Sequence, residues 1–489
     1  MLNLSDEEII EGILKEFAGL AAHPRKSGHE KAVSDYLASR LRGLGAQVHQ
    51  DKVNNIIADV PASKGCETVP RTILQGHMDM VCVAKPGVAY DPLKDPIRMI
   101  REGNILRADG TSLGADDGIA AATFLFLLQQ DFAHGPLRLI FTVDEEVHMT
   151  GSMNLDPRWL QDARYVINCD SEAADQIVVA SAGSVHVDFT RKLTREDNPY
   201  DGALEIAANG FVGGHSGETI NKGKSNAIKA LAMALAMALE RMEQAGIPYR
   251  LGDFSGGAAA NAIPSQARAL IVLPADKMEQ AGRLVAEEKA SQQAVYGDVE
   301  KTLDLTAQNV ENPRQVWSGE DTAQVTELLV LLHTGVFAMN QQMAELPDLS
   351  ANIGTVKVQD GSLDLEYFPR SSSNERLEEF VRTMPVFAKV TGFTVKMGTI
   401  FSAWTENRNS VLRPAMERVH EEVMGRKPKI VAMHGGLETG FFYKANPKLD
   451  LVSVGPNTHA IHSADESVEL DSTAQVARII AGTLTELTK

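Results

Sequence analysis

Four short stretches of this chain carry imidazole and carboxylate side chains in numbers that suit a divalent cation. His77 and Asp79 lie in Gly76-His-Met-Asp79, Asp116 and Asp117 in Gly114-Ala-Asp-Asp-Gly118, Glu145 and Glu146 in Asp144-Glu-Glu146, and Asp170 and Glu172 in Cys169-Asp-Ser-Glu172. Gathered in one place, so many carboxylates repel one another severely unless a cation neutralises them. Imidazole and carboxylate without thiolate form a donor set suited to zinc, manganese or cobalt. None of the three cysteines, Cys66, Cys82 and Cys169, belongs to a Cys-x-x-Cys pair, so a thiolate zinc finger is excluded. Cys169 adjoins Asp170 but has no activating histidine beside it in sequence, which disfavours a cysteine nucleophile. The chemistry these residue types support is metal-dependent hydrolysis, with the pairing of ligands left open by spacing alone.

The elements that must position these groups are strands and one helix. Arg71–Gln75, Leu137–Val143 and Tyr165–Cys169 are apolar runs that read as buried strands, and each leads directly into one of the stretches above. The remaining stretch opens a helix expected from about Gly118 to Gln130. Parallel strands in one sheet set their ends along a single edge, where open α/β sheets gather ligands. Upstream, Ser5-Asp-Glu-Glu8 carries helix-start chemistry, and a second helix is expected from about Glu30 to Leu44, ended by Gly45. Short strands follow at 46–49 and 55–60. Val81–Ser112, with Pro86, Pro92 and Pro96, reads as irregular. Strands alternating with helices make the fold class α/β, a mostly parallel sheet flanked by helices.

The texture changes after about Ser184. Alternating strands are expected at Val185–Arg191 and 204–208, then a Gly-rich segment, Gly210–Gly217, and an Ala/Met/Leu helix over Ser225–Gln244. Strands near Tyr249–Asp253 and Ala267–Pro274, helices over Lys277–Ala294, Thr322–Met339 and Arg376–Val390, and a strand at Ser362–Phe368 complete an α+β segment. Near Thr399 the α/β pattern returns, with a helix over Val411–Met424, strands at Lys429–Met433 and Leu449–Val454, and a C-terminal helix over Thr473–Thr488. The simplest organisation is a catalytic domain in two parts, 1–185 and 399–489, with a lid or substrate domain inserted as 186–398.

Six motifs in order resemble the M20 family of co-catalytic metallopeptidases. They are Gly76-His-Met-Asp79, Gly114-Ala-Asp-Asp-Gly118, Asp144-Glu-Glu146 with Gly151-Ser152, Asp170-Ser-Glu172, Gly214-His-Ser-Gly217 and His434-Gly-Gly-Leu-Glu438 with Gly440. The forms around Cys169 and His434, with the chain length, resemble the aminoacyl-histidine dipeptidase branch. The resemblance implies a zinc-peptidase-like catalytic domain holding two divalent ions per subunit, Zn2+ first, with Co2+ or Mn2+ as substitutes. It assigns His77 and Asp170 to one ion, Glu146 and His462 to the other, and Asp116 to both. His459 is the rival of His462, which only the motif favours. Asp79 would orient the His77 ring, and Glu145 would be the general base of a water activated by both metals.

The same resemblance implies that His215 stabilises the oxyanion, that Asn261 and Arg370 grip the substrate's C-terminal carboxylate, and that Gly436 offers backbone contacts. A guanidinium fork suits a carboxylate. The expected activity is hydrolysis of dipeptides with broad specificity, Xaa-His included, by a homodimer. The rival activities are tripeptide cleavage, deacylation of N-acyl amino acids, and metal-dependent binding without catalysis; the presence of Glu145 and of the whole ligand set disfavours the last.

Bulk properties narrow the field. The chain has 489 residues, 44% of them hydrophobic and 23% charged, with a formal net charge of -18. That balance suits a globular protein of two or three domains and argues against nucleic acid as partner. The acidic opening, Met1-Leu-Asn-Leu-Ser-Asp-Glu-Glu8, has no basic segment before an apolar one, so no secretory signal is expected. No segment reads as a membrane span, and the cytoplasm is the expected compartment.

Overall fold

Ser5 starts the first helix, Asp6–Ala21, as its sequence context foretells: its hydroxyl accepts from the Glu8 N–H and the Glu8 carboxylate accepts from the Ser5 N–H. The second helix, Lys31–Gly43, stops before Gly45, whose φ of +86° is costly for other residues. In this computed structural model, which describes residues 2–341, 343 and 346–489, the chain divides into two compact units. One comprises Met1–Ser181, Trp404–Ala432 and Leu437–Lys489, the other Ala182–Ala403 and Met433–Gly436. The unit limits thus fall a few residues from the 185 and 398 boundaries drawn from texture, and the short Met433–Gly436 segment goes with the second unit.

The first unit is built on an eight-stranded sheet. Its order is Gln47–Gln50, Ile56–Val60, Leu137–Thr142, Arg71–His77, Ala163–Asn168, Asp450–Ser453, Gln176–Ser181 and Lys429–Met433. Leu137–Thr142, Arg71–His77, Ala163–Asn168 and Asp450–Ser453 run parallel, while the first two strands join the sheet antiparallel. Arg71–His77 is buried from Thr72 onward, as expected of a parallel strand covered on both faces. In register His77 faces Thr142, so those two strands end level, and Gln75 faces Asn168, so the third ends two residues short of them.

The helix Ala115–Leu127 packs on the central strand Arg71–His77 and is buried at every residue but Asp116. It starts three residues earlier than its spacing suggests, and Asp116 and Asp117 lie in a non-helical first turn with a cis peptide between them. The stretch expected to be irregular contains a hairpin, Met99–Glu102 with Ile105–Ala108, turning at Gly103-Asn104. Ser467–Glu469 pairs with its second strand, and Thr458–His459 pairs with Ser467–Glu469.

The second unit centres on an antiparallel sheet with the path Asp304–Asn309, Gly202–Asn209, Ala267–Leu273, Arg250–Gly256, Pro347–Gln359, Ser362–Ser371, Val187–Lys192 and Thr394–Met397. Helix Ala227–Gln244 enters the core of this unit through Ala230, Leu231, Ala234, Leu235, Ala238 and Met242, but Met237 is 40% exposed, so the core face is Ala/Leu rather than the expected Ala/Met stripe. Two expected helices are corrected here. Gly319–Leu331 ends where the Lys229 ammonium donates to the carbonyls of Leu329, Val330 and Leu332, and Gly335, at φ +105°, begins a strand over Gly335–Met339. Arg376–Val390 is two helices, Asn374–Val381 and Met384–Thr391. Pro385, which has no N–H to donate, is accommodated in the first turn of the second.

Candidate metal centre and substrate-contact residues

His77 closes the central strand of the first unit with its ring fully buried. Its Nε2 lies 3.1 Å from Asp116 Oδ1, 3.7 Å from Asp170 Oδ1 and 3.9 Å from Glu145 Oε2. Its other nitrogen, Nδ1, lies 3.4 Å from Asp79 Oδ1. The second Asp116 oxygen is 3.3 Å from His462 Nε2, which in turn is 2.8 Å from Glu146 Oε2. Two donor groups result, His77/Asp116/Asp170 and Asp116/Glu146/His462, with Asp116 common to both and the donor atoms of each within 4.8 Å of one another. His459, the rival of His462, points elsewhere: its Nε2 meets Glu469 at 2.8 Å.

This donor set fits divalent ions. Zinc binds imidazole nitrogen and carboxylate oxygen at about 2.0–2.2 Å in a tetrahedron, so its donors stand about 3.4 Å apart, and the donor atoms here lie 3.1 and 3.7 Å apart in one group and 3.3 and 2.8 Å apart in the other. Glu146 Oε1 is buried and, among the described residues, has no hydrogen-bond partner. The local field favours positive charge: hydrogen bonds to Asp116 and then Glu146 push His462 up to about 11. Burial works against a charged His77, yet hydrogen bonds to Asp116, Asp170 and Asp79 hold its pKa well above the ordinary value. Glu145 is raised well above the usual carboxylate range, by burial first and then by Asp170, Glu146 and Glu438.

Asp79 does more than face His77. Its carboxylate accepts from the Ser27 hydroxyl at 2.8 Å and from the Glu145 and Glu146 N–H groups at 3.1 and 3.3 Å. One buried carboxylate thereby holds the imidazole and the turn carrying the candidate base.

Four further residues shape the centre beside the expected ligands. Asp117 accepts from the His77 N–H at 3.2 Å, and a Cβ on Gly76 would stand 2.4 Å from its Oδ2, so Gly76 must lack a side chain. Arg25, fully buried, donates to the carbonyls of Met78, Asp79 and Gly114 at 3.3, 3.2 and 2.5 Å. Glu466 accepts from the N–H groups of Leu113, Gly114 and Asp116 at 2.8, 2.8 and 3.2 Å. Glu438 accepts from Thr142 and Gln75 at 2.5 and 2.6 Å, and burial pushes it up to about 7. Arg25 stands in no motif, and Glu466 lies four residues after His462, outside the six; Asp117 and Glu438 stand inside two of them, which is the signal that could have found them.

The second unit brings its four expected residues near one another. His215 pairs with Ala262 across a two-residue ladder, and the Ser216 N–H donates to the Asn261 carbonyl at 2.8 Å. His215 Nδ1 lies 3.2 Å from Glu218 Oε1. Gly435, beside Gly436, closes on Gly217, where an added Cβ would stand 3.2 Å from its Cα. Arg370 is buried over the Phe368 ring at 4.7 Å, and burial lowers its pKa to about 10. Its strand neighbour Ser350 bonds His434 Nε2 at 2.6 Å, and His434 is held neutral, down to about 3, by burial and by Arg370. Arg370 Nε and His434 Nδ1 are buried without hydrogen-bond partners among the described residues. His434 was noted only as part of a motif.

Comparison with known proteins places this geometry in a family. The chain is 31% identical over 475 residues to the cytosol non-specific dipeptidase of Escherichia coli (strain K12), covering 96% of each. A solved aminoacylhistidine dipeptidase from Vibrio alginolyticus superposes with a TM-score of 0.86 at 27% identity, over 99% of this chain and 97% of that one. A tripeptidase from Staphylococcus aureus shares the fold at a TM-score of 0.55 and 17% identity, over 100% and 99%. No helix among the described residues is long and apolar enough to cross a membrane. The family model for peptidase family M20/M25/M40 matches residues 73–486, a span that takes in every residue of the two donor groups, and the chain belongs to that family.

Proposed function

We propose that this protein is a metal-dependent dipeptidase of broad specificity, Xaa-His substrates included, working with two divalent ions, zinc first and cobalt or manganese as substitutes. The observation that carries the reading is the position of Asp116, whose two oxygens face His77 and His462 separately. His77 and Asp170 would hold one ion, Glu146 and His462 the other, and Asp116 both. Bound there, the ions would polarise the scissile carbonyl and acidify the attacking water.

The chain's own groups do the rest. Glu145 takes the proton from the attacking water on its carboxylate and returns it to the leaving amine. Asp79 fixes the His77 ring and the Glu145 backbone at once. In the second unit, Arg370 and Asn261 grip the substrate carboxylate, His215 donates to the oxyanion, and Gly436 offers its backbone. The orphan Nε of Arg370 supports an anionic ligand at that place, because a buried donor without a partner is costly. The lid or substrate role is therefore assigned to the second unit and the catalytic role to the first. The cytoplasm is the proposed compartment, in keeping with the name of the Escherichia coli relative, and a homodimer is the proposed assembly, to be checked by sedimentation.

The test is Glu145→Gln. Turnover of an Xaa-His dipeptide falls about 10²–10⁴-fold while bound metal, measured by elemental analysis, stays at the wild-type level. Undiminished turnover removes Glu145 from the role of base. Tripeptides and N-acyl amino acids assayed alongside should be poorer substrates; preferential cleavage of a tripeptide overturns the dipeptidase reading.

A further inference from the structure

We propose that Glu466 is a positioning residue that seats His462 against Asp116, and that the Asp116/Glu146/His462 group is therefore the metal position that empties first. The inference rests on the two-metal reading above. It starts from a difference in how the two donor groups are supported. His77 ends the central strand of a buried sheet, and Asp170 follows the neighbouring parallel strand at the same level. His462 sits instead on a loop between Thr458–His459 and Ser467–Glu469. Its side chain is 49% exposed and its φ is +60°. No residue from His459 to Asp465 is buried.

Glu466 is the point at which this loop is fastened. It is 3% exposed, and its carboxylate takes the three N–H groups of the Leu113–Asp116 turn. Hydrogen bonds to an ionised acceptor are about twice as strong as neutral ones. The receiving turn is firm in its own right, since Arg25 grips the Gly114 carbonyl and the backbone of Met78 and Asp79, and the buried helix Ala115–Leu127 follows directly. The flow of order is thus from the turn to the loop. The other side-chain tie near the loop tip, Lys85 to Asp465 at 2.5 Å, joins two exposed groups, and such pairs contribute little. Ladder pairing of Ser467–Glu469 with Ile105–Arg107 holds the base of the loop but leaves His462 several residues away. Without Glu466, His462 keeps its neighbours in sequence and loses its fixed distance to Asp116 and Glu146.

The test is zinc binding by the metal-free full-length chain, read by titration calorimetry and by the zinc retained after equilibrium dialysis. Wild type should bind two ions per chain. Glu466→Ala should keep one ion at wild-type affinity and bind the second about 10–100-fold more weakly, the range for loss of an outer partner of a metal ligand. His462→Ala should show the same stoichiometry. Glu466→Gln, which keeps one acceptor oxygen, should fall between. Circular dichroism and the urea midpoint of the metal-free variants separate misplacement from misfolding, and the conservative Gln variant carries the test if the Ala variant does not fold. Two ions bound with wild-type affinities by both Glu466 variants overturn the proposal, as does equal weakening of both positions. A wild-type chain that binds fewer than two ions overturns the two-metal reading itself.

Discussion

Asp79→Asn keeps the shape of the side chain and removes one acceptor oxygen. In the native site Oδ1 faces His77 Nδ1 and the Glu145 N–H, and Oδ2 faces the Ser27 hydroxyl and the Glu146 N–H. The Ser27 hydroxyl can turn round and accept, but a peptide N–H cannot. Whichever way the new amide is turned, its NH2 group confronts one of the two peptide donors. At least one hydrogen bond to a charged acceptor is lost, worth about 1.5–3 kcal/mol. If that support is felt in the transition state, kcat/KM falls about 10–150-fold, at 1.36 kcal/mol per decade. The assay is steady-state hydrolysis of an Xaa-His dipeptide at saturating zinc, with bound metal measured on the same samples. The loss should fall on kcat more than on KM, because Asp79 orients His77 and the base rather than the substrate. A variant with full metal content and kcat/KM within threefold of wild type would refute the idea that Asp79 organises the base.

Three other outcomes are expected. Gly76→Ala drives a methyl group to within 2.4 Å of the Asp117 carboxylate, and the urea midpoint should fall by the equivalent of about 1–3 kcal/mol. Glu438 has its pKa raised from 4.5 to about 7 in the folded chain. The native state therefore holds a proton that the unfolded chain has released, and stability from this group is present below pH 4.5 and lost as pH rises through 7. In metal-free protein Glu438→Gln should gain on wild type by about 3 kcal/mol between those limits, read from urea melts across the pH range; parallel curves would sink the assignment. Arg370→Lys should raise KM for dipeptides and blunt the preference for a free over an amidated C-terminus, with zinc content unchanged; an unaltered KM removes Arg370 from the substrate's carboxylate.

Where periodicity was strong the elements could be read, and where polar residues interrupt it they could not. Arg71–His77, Leu137–Thr142 and Ala163–Asn168 are apolar runs, and the gathering of their ends along one edge follows from being parallel neighbours. Pro347–Gln359 is the longest strand of the second unit's sheet, yet Pro347, Asp348, Ser350, Asn352 and Gly354 hide it. It exists because Ser362–Ser371 pairs with it along nearly its full length, and that pairing is tertiary information. The site divides the same way. His77, Asp116, Glu145, Glu146 and Asp170 stand at element ends in recognisable company. Arg25 acts through backbone atoms of other residues and stands in no motif, so nothing in its own surroundings in sequence marks it; Asp117 lies in a motif, but its bond with the His77 N–H is tertiary information. His462 was separated from His459 by motif alone, and the geometry separates them by what each ring faces.

Arg25 has a consequence for how this chain can vary. A Cβ at Gly114 would stand 2.3 Å from its Nη2, and one at Gly118 2.6 Å from the same atom. The two glycines that give Gly-Ala-Asp-Asp-Gly its recognisable form are therefore partly the imprint of a guanidinium from a residue 89 positions before Gly114. Substitutions at these sites should show epistasis: a methyl group at 118 that is harmful beside Arg25 becomes tolerable only once position 25 has shrunk and Phe17, 2.9 Å from the same point, has given way. Position 114, held at φ +68°, stays glycine on either background. Variation at 25 and 118 should consequently travel together, while 114 stands fixed.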